Sequence, residues 1–230
     1  LRTQRPAAHF MRGFFGATSL LCMVYAVSKL ILADATVLGF TIPLWSIILS
    51  MLFLGERIRL RRTLATICGF IGVLLVVQPQ GGVAPAALVA LGGAMLASGA
   101  IITMKDLTRT EPADRIVVYF LIIGTLILLG PAIYVWQWPS LAQWGWLLAL
   151  GMLGSSGQMF LTRAYALGEV TIIAPLDFLR ILVAGIIGFI IFDELPDAWA
   201  FAGTAVILFS CIYIVRREAM MKKQAAEDGS

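Results

Sequence analysis

Long apolar runs separated by short polar clusters dominate the chain. A helix needs about 20 mostly apolar residues to cross about 30 Å of hydrocarbon. Eight runs reach or approach that length: 13–32, 36–54, 63–77, 86–104, 116–135, 144–165, 171–192 and 198–215. The third is short. A signal-peptide reading of the first run leaves the other seven unexplained. The pattern predicts an all-α polytopic bundle.

Composition agrees. Of 230 residues, 60% are hydrophobic and 13% charged, with mean hydropathy +0.93. Soluble domains carry roughly 45–50% apolar and about 25% charged residues, so this chain has too little polar surface for a water-soluble globule. Disorder, nucleic-acid binding and a cytosolic enzyme are excluded on that ground. Cys22, Cys68 and Cys211 stand far apart inside apolar runs and read as small buried hydrophobes. A lone His9 builds no metal site, and no cofactor or metal is expected.

The charges orient the bundle. If loops alternate sides, one side receives Arg2, Arg5 and Arg12, then Arg57, Arg59, Arg61 and Arg62. It then receives Lys105, Arg109 and Arg115, and last Arg216, Arg217, Lys222 and Lys223. That is fourteen of the 17 basic residues; the other side receives only acids, Asp34, Asp193, Glu194 and Asp197. Basic loops stay on the cytoplasmic side, so both ends of the chain are expected there, in a multi-pass inner (plasma) membrane protein. Trp136, Trp138 and Trp144 form an aromatic belt at the opposite surface.

A weak internal repeat runs through the chain. Asp34, Ala35 and Thr36 open the second span and Glu169, Val170 and Thr171 the seventh; these spans close on Leu54-Gly55-Glu56 and Phe192-Asp193-Glu194. Nine residues past each glutamate stands a small residue (Ala65, Gly203), and sixteen past stands another (Gly72, Ser210). Glu56 is expected inside and Glu194 outside, so the two copies are inverted. Inverted repeats with a site between them mark secondary transporters. A five-helix unit would make ten helices, with two expected before Leu1.

These residues carry a family resemblance. "ADATVLGFTIPLWSIILSMLFLGERIRLRRTLATICGFIGVLLVVQP" resembles the third-to-fifth helix region of the drug/metabolite transporter superfamily, EamA type. "RAYALGEVTIIAPLDFLRILVAGIIGFIIFDELPD" with "GTAVILFSCIYIVRRE" resembles the matching part of its second half. The similarity covers residues 12–218. It implies two inverted five-helix units moving small organic molecules by alternating access, with amino-acid-like, cofactor-like or drug-like metabolites as the solute class. Residues 1–80 are then the remainder of the first unit, 81–215 the second, and 216–230 a cytoplasmic tail. Proton coupling and a homodimer are both compatible with the pattern.

Ionisable groups at membrane depth cost roughly 2.5–3.5 kcal/mol on insertion scales, so each needs a reason. Asp177 and Arg180 stand about 9 and 13 Å into the seventh span at 1.5 Å per residue, on one face, with Pro175 just before them. They read as a site for a carboxylate and for an amine or proton, or as a structural ion pair. Lys29 and Arg163 lie near span ends, as substrate contacts or interfacial anchors. Glu56 and Glu194 stand at helix termini, where a structural or gating role, including capping a neighbouring helix, is expected. Trp45, close to Pro43, and Tyr165 offer aromatic faces to a planar or cationic solute, or plain packing. The rows Ala65/Gly69, Ala184/Gly188, Gly13/Ala17 and Gly151/Gly154/Gly157 are expected to bring helices together.

No clustered nucleophile and base, metal-ligand set or phosphate loop is visible, so an enzyme is not expected. The alternatives to a carrier are a channel or a membrane structural or assembly partner.

Overall fold

The computed structural model describes residues 3–30, 32–56, 60–77, 85–192 and 198–227. The chain is a polytopic helical bundle: α1 (Pro6–Lys29), α2 (Leu32–Gly39), α3 (Ile42–Leu54), α4 (Leu60–Val77), α5 (Pro85–Leu107), α6 (Ala113–Tyr134) and α7 (Leu141–Leu167) come first. Then follow α8 (Val170–Ile173), a 3-10 turn (Ala174–Phe178), α9 (Leu179–Phe192) and α10 (Ala198–Glu227). Among the described residues, four stretches are long and apolar enough to span a membrane: Pro6–Lys29, Ala35–Leu54, Pro85–Leu107 and Ala113–Tyr134. Large apolar side chains such as Phe53, Leu126, Leu153 and Phe209 are exposed around the outside, as a lipid-facing surface requires.

Local chemistry sets the ends. Pro6 starts α1, where its missing N–H costs nothing. Ser140 and Gln143 make a reciprocal capping box at the start of α7. Gly55, at φ 69°, ends α3 in the left-handed region that a side chain disfavours.

Two of the eight expected spans are interrupted. The second is split at Phe40 and Thr41, just before Pro43, into α2 and α3; the seventh passes through the 3-10 turn that holds Pro175. Proline supplies no N–H to the preceding turn and crowds its carbonyl, so each span breaks where its proline falls. Phe40 and Phe178, one at each break, meet at 6.1 Å between ring centres. Phe178 is fully buried with Val73, Ile207 and Cys211.

α4 and α10 cross in a reciprocal way. The Ser210 hydroxyl donates to the Ala65 carbonyl. A Cβ added at Gly72 would stand 2.9 Å from the Gly203 carbonyl oxygen. The small residue nine past one glutamate therefore faces the one sixteen past the other, in both directions. Such self-complementary exchange is what a two-fold axis produces. Gly69 makes room in the same crossing for Phe178, whose ring would lie 2.8 Å from an added Cβ.

Candidate functional site

Polar groups concentrate where α7 hands over to α8. The Glu56 carboxylate, just past α3, accepts from the backbone N–H of Val170 at 2.9 Å and of Thr171 at 3.2 Å. These are first-turn donors of α8, which have no partner inside the helix. On the other side of the connection, Lys105 Nζ donates to the carbonyls of Tyr165 and Gly168, both at 2.7 Å. An anion therefore holds the start of one helix and a cation the end of another, each matching the local dipole. Arg109 donates to the Leu54 carbonyl at 3.4 Å, tying the end of α3 to the segment after α5.

The same end of the bundle is knotted to the N-terminal segment. Thr3 and Arg115 each donate to the Glu111 carboxylate at 2.6 Å, and Arg5 pairs with Asp106. The Thr3 hydrogen bond, helped by Arg115 and opposed by burial, holds the Glu111 carboxyl below its ordinary range. His9 is buried beside Tyr119, with ring centres 4.4 Å apart, and its Nε2 stands 3.9 Å from Glu111.

Asp177 and Arg180 form an ion pair at 3.3 Å across the 3-10 turn and the start of α9. The Arg180 guanidinium stands 5.1 Å from the centre of the Phe40 ring, so this pair joins both broken spans. Arg180 is not enclosed: 64% of its side chain is exposed, against 39% for Asp177. Tyr165, 2% exposed, packs in one buried cluster with Val170 and Ala174, where α7 hands over to α8 and the 3-10 turn.

The other candidates disperse. Arg163 is exposed and pairs with Asp114 at 3.3 Å, and Lys29 is exposed in the last turn of α1. Trp45 is half-buried, while Pro43 and Pro175 are buried at the two breaks. Glu194 lies outside the described residues. The Gly151/Gly154/Gly157 row departs from expectation: an added Cβ at any of the three would meet nothing within 4 Å. That face of α7 borders open space, because α7 shows most of its first half to the outside.

Arg12 is the main correction to the sequence reading, which put it in a basic loop. Helix α1 begins at Pro6, so Arg12 lies in its second turn and is 5% exposed. Its guanidinium sits 4.0 Å from the centre of the Phe120 ring and donates to Gln158 Oε1 at 3.0 Å. Lys105 likewise moves from a loop into the last turn of α5. One signal pointed to Arg12. From Pro6 to Ala17 the only polar side chains are His9 and Arg12, three apart on one helical face, followed by Gly13 and Gly16.

A crevice of about 700 Å³ lies between α1, α3 and α5, lined by groups such as Phe15, Leu49, Phe53 and Met95. Its charged groups, Arg5 and Asp106, are engaged with each other. It includes neither the ion pair nor Glu56, Tyr165 or Arg12.

The family model for the EamA-like transporter family matches residues 2–78 and 84–216. The chain belongs to that family. Among curated relatives of this EamA-like transporter is the pseudopaline exporter of Pseudomonas aeruginosa, 34% identical over 90% of this chain and 74% of the relative. The S-adenosylmethionine uptake transporter of Rickettsia bellii is 31% identical over 97% of this chain and 78% of its own length. The riboflavin transporter of Rhizobium johnstonii is 30% identical over 98% and 76%. A solved crystal structure, 21% identical, superposes with a TM-score of 0.75 over 92% of this chain and 78% of its own, and shares the fold. This chain is thus a multi-pass membrane transporter of small metabolites.

Proposed function

We propose that this transporter is a secondary carrier working by alternating access, with the basic end of the bundle in the cytoplasm of an inner-membrane protein. The inequality of the two ends carries this reading. At the basic end, Glu56, Lys105 and Arg109 tie α3, α5, α7 and α8 together. Toward the tryptophan end, the Gly151/Gly154/Gly157 face of α7 stands open. A carrier caught between turnovers needs one closed end and one accessible end. The Asp177–Arg180 pair joins the two broken spans and remains accessible. A solute carboxylate competes for Arg180 while an amine or a proton takes Asp177.

Counterflow in proteoliposomes tests this, using the solutes for which the relatives are named: pseudopaline, S-adenosylmethionine and riboflavin. Saturable flux that exchanges across the bilayer is expected with at least one of them. Asp177→Asn and Arg180→Ala should abolish it while the protein stays folded. Linear, non-saturating flux would replace the carrier with a channel, and wild-type exchange by both variants would remove this pair from the site. A pH gradient in the same assay reads proton coupling through Asp177.

A further inference from the structure

The charge of Arg12 is unbalanced. Guanidinium and carboxylate groups taken out of water need a counter-charge or a full set of hydrogen bonds. Among the described residues, Arg5, Arg109, Arg115, Arg163 and Arg180 each meet a carboxylate or a backbone carbonyl. Arg12 meets neither. Its Nη2 donates to Gln158 Oε1 and to the Met104 sulfur; among the described residues its buried Nε has no partner and its Nη1 makes no hydrogen bond. Phe120 offers only a ring face. Gly16 keeps the place clear, since a Cβ there would stand 3.1 Å from Nη1.

Access comes along α7. Gly151, Gly154, Gln158, Thr162 and Tyr165 succeed one another at spacings of three and four, one stripe down a helix. Its upper part is the open glycine face; Gln158 is half-buried where that face meets Arg12; Thr162 and Tyr165 below are buried. Gln158 gives its carbonyl oxygen to Arg12, and its amide nitrogen makes no hydrogen bond among the described residues. An arginine fork with unused N–H groups beside a free amide donor is a donor-only constellation matched to a carboxylate.

From this geometry we infer that Arg12 and Gln158 form a carboxylate-binding subsite, entered along the glycine face of α7. Transported solutes therefore carry a carboxylate. Phe120 and the Gln158 oxygen are the groups against which such an anion would compete for the guanidinium. The solute assignment rests on the carrier reading; the anion site itself does not.

The test uses the full chain in nanodiscs of neutral phosphatidylcholine, which supply no anionic headgroup. Sodium benzoate is the probe, with benzamide as its uncharged match at equal ionic strength. Benzoate should raise the melting temperature of the wild type and of Arg216→Met, whereas benzamide should not. Arg12→Met should lose the response. Without benzoate it should melt at or above the wild-type temperature, because a costly charge is gone. Arg12→Lys keeps a cation without the fork, and should respond more weakly at the same concentration. A full benzoate response in Arg12→Met, no response in the wild type, or a melting temperature several degrees lower in benzoate-free Arg12→Met would overturn the subsite. The last outcome would make Arg12 a structural pin. If Arg12→Met does not fold, Gln158→Leu takes its place, with a reduced response expected and an unchanged one overturning the subsite. A benzoate response without any wild-type counterflow would sink the carrier reading and leave the anion site standing.

Discussion

The two ends of this bundle are built on opposite plans. At the basic end, backbone groups exposed by helix termini are held by charged side chains from elsewhere: Glu56 on α8, Lys105 on α7, Arg109 on α3. At the tryptophan end, α7 starts on its own capping box and then runs along glycines at which an added Cβ would meet nothing within 4 Å. The first end gains order from contacts between distant segments; at the second, α7 caps itself and keeps its glycine face open. In a protein that must open on alternate sides, the cross-linked end stores the interactions that must break. Among the described residues, the glycine face of α7 adds none to break.

Removing the cross-links should produce the largest effect. Glu56→Ala removes the acceptor shared by the Val170 and Thr171 N–H groups, and a buried N–H left unsatisfied costs about 1–3 kcal/mol. Hydrogen exchange at those two amides should accelerate, and most transport should be lost. Lys105→Met should cost less, about 1–2 kcal/mol, because it frees only carbonyl acceptors in a part-buried place. Unchanged exchange at residues 170–171 in Glu56→Ala would break the contrast between the ends.

Glycine substitutions sharpen it next. Gly69→Ala should destabilise by about 1–3 kcal/mol, since the new methyl meets Phe178 at 2.8 Å and Ser210 at 3.0 Å. Gly154→Ala has open space around it and should stabilise by up to about 1 kcal/mol through helix propensity. Thermal melts of the two variants should therefore move in opposite directions, and a shared direction would contradict the packing described.

A smaller effect is expected from acid. The Glu111 carboxyl titrates lower in the folded chain than its ordinary value of 4.5. Its contribution is complete above that value and is lost as pH falls through the lowered one. Thr3→Val removes the leading cause, so its melting temperature should depend less steeply on pH below about 4.5; equal acid slopes in both proteins would argue against this role. The smallest effect belongs to Arg163→Ala, which breaks an exposed pair with Asp114 and should cost about 0–1 kcal/mol.

How much was legible in the sequence follows from range. Helix type and number of spans come from runs of apolar residues, and the structure places a helix or a broken helix on each of the eight. The two breaks were half legible, because Pro43 and Pro175 mark them while the 3-10 turn depends on how Phe178 packs against Gly69. Asp177 and Arg180 could be paired from their spacing alone. Arg12 was misplaced because counting basic residues into loops ignores that a long apolar helix can begin before its first arginine. Lys105 and Glu56 lie 49 positions apart in the chain, and only folding sets them either side of one helix junction.

The crossing of α4 with α10 has a consequence for how such a chain can change over time. A side chain gained at Gly72 runs into the backbone of Gly203, and one enlarged at Ser210 loses the Ala65 carbonyl. Each copy of the repeat is thus part of the other's selective environment. The two halves can diverge freely in their solute-facing groups, yet along this seam they are bound to coevolve.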